Sequence, residues 1–471
     1  MPMGKPQRIR DPLHNLIAFD EKQFDQALWR VIQTPDFQRL RRIKQLGFSE
    51  LVYPGATHTR FSHSLGVYHI AKRLLEIIRQ KDESDYNSSF GRYAKAAALL
   101  HDIGHGPFSH AFEDVGKRLG FKLAKHEDVS DAVIRHRQIA AILDDEFGTG
   151  FSANVADLIK SSGASRGIYG AVVSSQFDAD RLDYMQRDRI MTGTQVGGSL
   201  DCTWLLSNLR IGEVDWSADD SKGGKRKTFV LGPKAIHASE AYIIGLFQMY
   251  PTVYFHKATR GAEKLFSELL VRAFSLVREG DCAKTNLPSR HPLKLFAEEP
   301  EKLERAMALD DSVVMGALPL LAEAEDKLVA DFARRLLDRR LFKCIDVRER
   351  LRHAIGKNED SEQRLVIAQQ AVKNRLGEWS AEHSQNFPRI LRDEGRRNPY
   401  KRFQDGQSSL LDQILIQEPS GDIIEITDCS ELILSIRTFE FFRVYVASDD
   451  SDARKVVDDA IEEQKHVYEE R

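Results

Sequence analysis

The sequence has few of the features that mark secreted proteins or zinc ribbons. Its 471 residues include only four cysteines, Cys202, Cys282, Cys344 and Cys429, which lie far apart and form no CxxC pair. This spacing is typical of free thiols in a reducing compartment and argues against a disulfide framework. The formal net charge is only −3, so an anionic ligand must be held by a local cluster of cations.

Long hydrophobic runs are also absent. No apolar stretch approaches the roughly 18 residues of a membrane span, and residues 1–5 lack the apolar core of a signal peptide. With 42% hydrophobic and 30% charged residues, the composition is that of an ordinary globular protein. We therefore expect a cytoplasmic protein with no membrane partner, and its length suits two or three domains of about 150 residues each.

The chemically richest stretch is residues 96–110, in which an apolar, helix-forming run ends at His101 and Asp102. Two glycines, a proline and two further histidines, His105 and His110, follow within the same stretch. Imidazole and carboxylate groups at the end of a rigid apolar element are suitable ligands for a metal ion.

Helical periodicity covers about two thirds of the chain. Helices are predicted near residues 21–32, 34–46, 60–80, 107–119 (with Pro107 at the start), 126–143, 152–162, 177–188, 238–278 (with a kink at Pro251) and 362–382. Residues 209–211 and 227–231 are expected to pair as a hairpin, and 410–417, 422–427 and 439–446 to form one small sheet. Residues 280–300 read as a linker and 387–403 as a basic segment. The fold class is therefore mainly α, with a small C-terminal α+β region.

A metal site needs ligands that converge from several elements. His63 lies near the start of the helix that precedes His101 and Asp102, so antiparallel packing would bring these helix ends together. Asp180 lies on a later helix. Two imidazoles and two carboxylates suit Mn, Fe, Mg, Ni or Zn and leave positions for water and substrate. On spacing alone, a structural role for these histidines stays equally open.

The pattern Arg60-x-x-His63, His101-Asp102 and Asp180 resembles the H…HD…D signature of the HD-domain metal phosphohydrolases. Further segments resemble the deoxynucleoside-triphosphate triphosphohydrolases, namely residues 11–14, 34–41, 43–47, 53–56, 63–67 and 101–110. The resemblance is dense over residues 10–190. It implies an HD-domain helical core and metal-dependent hydrolysis of (deoxy)nucleoside triphosphates at the α-phosphate.

The resemblance also implies roles for individual residues. The metal ligands would be His63, His101, Asp102 and Asp180. The phosphate-contacting and proton-donating residues would be His105, His110 and His126, with Glu127 beside them. Phosphate clamps would be Arg60 and Arg181, sugar contacts Gln45, Leu46, Tyr184 and Asp188, and a base contact Tyr254. An allosteric nucleotide site would include Gln38, Arg41, His256 and Lys257.

Two positions depart from the pattern of these relatives. Gln33 stands where an aspartate recognises guanine in an allosteric site, and a glutamine cannot accept from both guanine N–H donors, which puts activation by GTP in question. Leu246 replaces an arginine that grips the γ-phosphate. The triphosphate is then held otherwise, or the substrate carries fewer phosphates.

The resemblance suggests an organisation as well as an activity. Residues 1–280 would form the catalytic core, 281–385 a helical extension, and 386–471 a region for regulation or oligomerisation. A homo-oligomer, dimer or tetramer, with a nucleotide activator is expected, and nucleic acid is a less favoured partner. Two alternatives stay open: another HD phosphohydrolase, such as a nucleotidase or a single-strand nuclease, and a nucleotide-binding regulator without catalysis. The complete set of candidate ligands argues against the second.

Overall fold

A computed structural model describes residues 6–21, 23–160, 167–196, 200–215, 224–356, 360–384, 387–398, 400 and 413–469. The α-helices are α1 Phe24–Ile32, α2 Pro35–Gln38, α3 Arg60–Lys81, α4 Ser88–Leu100, α5 His110–Leu119, α6 His126–His136, α7 Gln138–Phe147, α8 Phe151–Lys160, α9 Gly167–Val173, α10 Ala179–Thr192, α11 Cys202–Ser207, α12 Ile236–Met249, α13 Lys257–Arg278, α14 Pro292–Glu298, α15 Leu303–Met307, α16 Asp311–Leu321, α17 Lys327–Leu337, α18 Val347–Ile355, α19 Ser361–His383, α20 Ile426–Cys429, α21 Glu431–Ser435 and α22 Ser451–Glu469. The strands are β1 Gln7–Asp11, β2 Asn15–Phe19, β3 Leu209–Asp215, β4 Lys225–Leu231, β5 Lys343–Asp346, β6 Ile390–Arg397, β7 Leu415–Gln417, β8 Ile423–Glu425 and β9 Phe439–Val446. The prediction of a mainly α fold is confirmed.

The described residues form two compact units. The first draws on residues 1–249, 299–312 and 398–437, and the second on 250–298, 313–397 and 438–471. Both units therefore take residues from the C-terminal part of the chain. The separate roles expected for the sequence segments 1–280, 281–385 and 386–471 stay predictions. Among the described residues, no helix has the length and apolar character needed to cross a membrane.

The core of the first unit is built around α3 and α4. Residues 96–100 of α4 are completely buried, and their three alanines allow neighbouring helices to approach closely. Asn87 caps this helix by accepting hydrogen bonds from the amides of Ser89 and Phe90. Helix α10 packs on α3, and Asp178 caps it by accepting from the amide of Arg181. These contacts bring the start of α3, the end of α4 and the first turn of α10 together.

Several helix boundaries differ from the predicted ones. Pro107 does not begin a helix: α5 begins at His110, because Phe108 and Ser109 both have a φ of 54°. The helix predicted for residues 126–143 is two helices, separated by the extended Arg137. The predicted kink at Pro251 is a π-type turn over Tyr250–Tyr254. The expected linker 280–300 contains the helix α14.

The prediction of one C-terminal sheet is wrong, because the strands divide between the two units. In the first unit, β7 pairs with β8 and, in parallel, with β4 of the predicted hairpin β3–β4. In the second unit, β9 pairs antiparallel with β5 and β6. Strand β6 lies inside the predicted basic segment, and residues 410–412 of the first predicted strand lie outside the described residues. Helices α18, α19 and α22 share a buried apolar core with the sheet of the second unit.

Candidate metal centre

Four side chains from the ends of three helices converge in the first unit. The Nε2 atom of His63 lies 2.9 Å from Oδ1 of Asp180 and 3.8 Å from Oδ2 of Asp102. The Nε2 atom of His101 lies 3.4 Å from Oδ1 of Asp102 and 3.6 Å from Oδ1 of Asp180. Two ligands at right angles around an ion, with bonds of about 2.1 Å, lie about 3.0 Å apart. His63, His101 and Asp180 form a group whose ligand atoms all lie within 4.8 Å of one another and could hold one divalent ion, and Asp102 lies beside this group.

The protonation of His101 supports this fit. Its Nδ1 lies 2.9 Å from the carbonyl oxygen of Ala98, which can only accept, so Nδ1 carries the proton. Its Nε2 is buried and has no hydrogen-bond partner among the described residues, although Asp102 and Asp180 lie close to it. A buried imidazole nitrogen that faces two carboxylates is a suitable ligand for a divalent cation.

The carboxylates attract positive charge to both imidazoles. Burial opposes protonation of His63, but hydrogen bonds to Asp180 and Asp183 raise its pKa to about 10. Burial likewise opposes the charged form of His101, and Asp102 and Asp180 still raise its pKa. A divalent cation would satisfy the same carboxylates and displace these protons.

His63 is held from behind by a buried ion network. Its Nδ1 donates to Oδ2 of Asp183 over 2.9 Å, which leaves Nε2 directed at the candidate metal position. The other oxygen of Asp183 accepts from Nε2 of His14 over 2.7 Å. Arg187 donates to Asp183 over 2.7 Å and to Asp11 over 2.8 Å. Asp11 ends β1 and His14 lies in the turn before β2, so the β1–β2 hairpin supports the metal centre.

Gly66 makes this network sterically feasible. It lies on α3, one turn after His63, and a Cβ atom at this position would lie 1.9 Å from Oδ1 of Asp183 and 2.4 Å from Nη2 of Arg187. Both atoms are buried, and neither side chain is free to move aside without losing its hydrogen bonds. Only glycine fits between α3 and α10 here.

Arg60 places a buried positive charge beside the candidate ligands. Its Nη1 pairs with Asp102, and its Nε donates to Oγ of Ser109 over 2.9 Å. Burial raises the pKa of Asp102, but the charge of Arg60, followed by those of His101 and His105, holds it well below the ordinary value. Asp102 is therefore ionised and available to a cation.

Three further histidines lie next to the metal centre, and two of them share one carboxylate. His105 lies with its Nε2 3.2 Å from Asp102, and its ring stacks on that of His126 with the centroids 3.8 Å apart. His126 and His110 both donate from Nδ1 to Glu113, the latter over 3.2 Å. Burial raises the pKa of Glu113, but these two hydrogen bonds lower it overall. His110 is largely exposed, which leaves its ring open to a ligand.

Two overlapping groups in this region could also hold a metal ion. They are Asp102, His105 and His126, and His110, Glu113 and His126. Glu127 is half-exposed, and its carboxylate lies 3.5 Å from Nδ1 of His126. Burial, with the positive charge of Arg60, keeps the pKa of His105 well below its ordinary value.

The predicted sugar contacts lie along α10 and the loop before α3. Asp180, Tyr184 and Asp188 are spaced at i, i+4 and i+8 and so follow one side of α10. Asp188 is buried and binds Nε2 of His58 over 2.8 Å, and the carbonyl of His58 accepts from the amide of Gln45.

The predicted phosphate and sugar positions near these residues are half-buried. Arg181 lies next to Asp180, with its Nε 3.5 Å from Oδ2 of Asp178. Leu46, like Gln45, is half-buried, directly before the tight turn at Gly47.

Three other predicted residues lie in the part of the chain that forms the second unit. Tyr254, His256 and Lys257 belong to the second compact unit, and His256 accepts the amide of Ala258 at the start of α13. Their roles stay predictions.

Gln38 and Arg41, expected at an allosteric site, bind each other over 2.8 Å. The guanidinium of Arg41 lies 3.6 Å from the centre of the Phe61 ring. Gln33 is exposed at the end of α1, and Leu246 is buried in the core. The allosteric role of Gln38 and Arg41 also stays a prediction.

Sequence reasoning missed several residues around the site, namely Asp183, His58, Glu113 and Asp311. The carboxylate of Asp311 accepts from the amides of Lys44 and Phe108. Asp183 had a signal, because Arg187 follows it at i+4 on the same helix. Glu113 follows His110 at i+3, which also places the two on one helical face. His58 and Asp311 act through folded contacts and left no signal in the local pattern.

Comparison with known proteins places these features in a family. Residues 60–185 match the family model of the HD domain, and residues 224–289 match that of the HD associated region. The uncharacterized protein YwfO of Bacillus subtilis is 36% identical over 345 residues, which cover 73% of each chain.

Two further relatives carry a stated activity. The mouse deoxynucleoside triphosphate triphosphohydrolase SAMHD1 is 28% identical over 390 residues, which cover 74% of this chain but 56% of that protein. A crystal structure of a phosphohydrolase from Bacteroides thetaiotaomicron matches with a TM-score of 0.70 and 25% identity, and covers 94% of this chain and 100% of that one. These matches, together with the geometry of the candidate ligands, show that the chain belongs to the HD-domain family of metal-dependent phosphohydrolases.

Proposed function

We propose that this protein hydrolyses (deoxy)nucleoside triphosphates at the α-phosphate and releases nucleoside and triphosphate. The observation that carries the proposal is the convergence of His63, His101, Asp102 and Asp180, with the buried cation Arg60 beside them. The similarity to the mouse deoxynucleoside triphosphate triphosphohydrolase SAMHD1 supports the substrate class.

The four ligands define what a bound ion would contribute. A divalent cation supplies Lewis acidity toward a phosphate oxygen and a water nucleophile near neutral pH. Mn²⁺ is our first choice for the test, because it accepts both imidazole and carboxylate ligands. Arg60 and Arg181 add positive charge for the phosphates, and Arg60 is held in one orientation by Asp102 and Ser109.

The imidazoles of His110 and His126, which share Glu113, would donate a proton to the departing 5′ oxygen. Because Nδ1 of both His110 and His126 binds this carboxylate, Nε2 of each ring points away from Glu113. An imidazole oriented in this way is a suitable general acid. His105 flanks this pair and contacts phosphate, and the carboxylate of Glu127 lies beside His126.

The sugar would lie against α10. Asp188 is buried and oriented by His58, so its carboxylate is positioned to accept from a sugar hydroxyl. Tyr184 follows Asp180 by one helical turn and would pack on the sugar, with Gln45 and Leu46 on the 2′ and 3′ side.

The experiment is a product analysis with matched variants. The purified protein is incubated with a panel of dNTPs and NTPs plus Mn²⁺ or Mg²⁺, and nucleoside, tripolyphosphate, pyrophosphate and phosphate are quantified. We expect nucleoside and tripolyphosphate in equal amounts from the wild type. His101→Ala should abolish both, whereas His136→Ala, at an exposed position on α6, should keep both. Equal turnover by wild type and His101→Ala contradicts the proposal.

A second candidate function rests on Leu246. This side chain is buried and apolar where a phosphate-gripping arginine is expected, which favours a substrate with fewer phosphates. A nucleotidase or a single-strand nuclease would then use the same metal centre. Nucleoside monophosphates and short single-stranded oligonucleotides belong in the substrate panel, and release of phosphate or mononucleotides without tripolyphosphate would favour this candidate.

We also propose a homo-oligomer with a nucleotide activator. Gln38 binds Arg41 and donates to the carbonyl of Ile32, the residue before the exposed Gln33. A glutamine at position 33 lacks the carboxylate that would accept both N–H donors of guanine. Light scattering and initial rates with each nucleotide as a second ligand test this point. We expect GTP to activate no better than the other nucleotides.

A further inference from the structure

A buried carboxylate outside the metal centre binds the backbone on two sides of it. Asp311 begins α16 and is 3% exposed. Its Oδ1 accepts from the amide of Phe108 over 2.8 Å, and its Oδ2 accepts from the amide of Lys44 over 2.9 Å. Phe108 lies between the candidate ligands and α5, and Lys44 directly precedes the predicted sugar contact Gln45.

The backbone at Phe108 needs such support. Phe108 and Ser109 have φ values of 54°, a conformation that residues with a Cβ atom rarely adopt. Such a conformation persists where surrounding contacts enforce it, and these positions are common at functional sites. The ring of Phe108 stacks on that of Phe48 with the centroids 4.0 Å apart, so the side chain and the amide are both fixed.

The residues before Asp311 brace the same loop. Arg39 donates from Nε to the carbonyl of Leu309 over 2.8 Å and from Nη2 to the carbonyl of His105 over 2.7 Å. The segment 309–311 and Arg39 therefore hold the loop after His101 and Asp102 from one side. The loop in turn positions two functional groups, since Ser109 binds Arg60 and precedes His110.

We propose that Asp311 is a positioning residue of the metal centre, whose two carboxylate oxygens hold residues 108–109 in their positive-φ conformation and thereby orient Arg60 and His110. The expected effect of Asp311 on turnover rests on the proposed function. The expected effect of Asp311 on the conformation of residues 108–109 does not depend on the proposed function. A carboxylate suits this task because each of its oxygens accepts one amide, whereas a side-chain amide has a single acceptor oxygen.

Asp311→Asn tests the inference, with Asp144→Asn as the matched control. Asp144 lies on α7, and its Oδ1 also accepts from a backbone amide, that of Ser152, over 2.7 Å. We expect Asp311→Asn to lower kcat about 10- to 100-fold, because small misplacements of catalytic groups have effects of this size. Metal affinity should stay close to the wild-type value, and Asp144→Asn should keep wild-type kcat.

Hydrogen exchange gives a readout that is independent of substrate. In the wild type, the amides of Lys44 and Phe108 should be protected, and in Asp311→Asn both should exchange faster while the amides of α4 stay protected. Wild-type kcat and unchanged exchange in this variant would overturn the inference. Should Asp311→Asn fail to fold, rapid exchange of either amide in the wild type overturns it, and protection of both supports it. A wild type without nucleotide hydrolysis refutes the proposed function, and the exchange still decides the role of Asp311.

Discussion

Replacing Gly66 by alanine should destabilise the protein although alanine favours helices. The added Cβ would lie 1.9 Å from Oδ1 of Asp183 and 2.4 Å from Nη2 of Arg187, far inside contact distance. Because α3 and α10 pack here, the carboxylate must move and lose its hydrogen bonds to His14 and His63. The change therefore breaks the buried ion network that orients His63, although Gly66 lies one helical turn away from this histidine.

The magnitude follows from two opposing effects. Disruption of a buried ion pair costs about 3–5 kcal/mol, because a charge is left without its partner. Alanine in place of glycine in a helix interior returns about 1 kcal/mol. We therefore expect the free energy of unfolding to fall by about 2–4 kcal/mol, and the affinity for Mn²⁺ to fall with it, since Asp183 no longer orients His63.

Urea unfolding, followed by circular dichroism, measures the first effect, and calorimetric titration with Mn²⁺ measures the second. The control is Gly316→Ala on α16, an exposed helical position where no described atom lies within 4 Å of the added Cβ. This variant should be more stable by about 0.5–1 kcal/mol, so the two alanine substitutions change the free energy of unfolding in opposite directions. The reasoning is refuted if Gly66→Ala is as stable as the wild type and binds Mn²⁺ equally well.

Three further changes probe the surroundings of the site. Asp183→Asn should weaken Mn²⁺ binding about 10- to 100-fold, measured by calorimetry, because the partner of a ligating imidazole tunes its affinity; unchanged affinity would contradict this. Glu113→Gln should lower kcat about 100-fold and leave the metal content intact, because His110 and His126 lose their shared carboxylate; wild-type kcat argues against the assigned acid. Burial, with nearby positive charges, lowers the pKa of His69 from 6.5 to about 4. Between these two pH values the unfolded chain binds a proton that the folded chain does not. The free energy of unfolding should therefore fall as the pH falls from about 6.5 to about 4. His69→Gln should flatten that loss in urea unfolding between pH 7 and 4, and an identical loss in wild type and variant refutes the assignment.

The candidate ligands could be predicted from the sequence because their signal is local. His101 and Asp102 mark the end of an apolar helix, and His63 marks the start of the preceding one, so helix packing alone brings them together. The arrangement of Asp180 relative to these residues needed the family resemblance, because 78 residues separate it from Asp102.

The supporting residues could not be predicted in the same way. The carboxylate of Asp311 binds amides more than 200 positions away, and no periodicity connects these positions. The positive φ values of Phe108 and Ser109 are equally hidden, because neither residue type signals them. Pro107 was therefore assigned to a helix that begins only at His110.

The pairing partners of the strands could not be predicted from the sequence for a similar reason. Residues 439–446 have the alternation of a strand, and the structure has a strand at these positions. The pattern identifies no partner, however, and β9 pairs with β5 and β6 instead of the neighbouring β8. Strand β6 itself carries arginines and acids on its exposed positions, which hid its buried residues, among them Asp393.

The hairpin turn at Asp11 and His14 has a practical consequence for work on this protein. Trimming the chain to begin at its first long helices would remove the buried side chains of Ile17 and Phe19. It would also remove His14, which binds Asp183, and Asp11, which binds Arg187, so Asp183 would orient His63 less firmly. Loss of activity in a shortened version would then reflect the lost support of His63 and not the loss of a catalytic group.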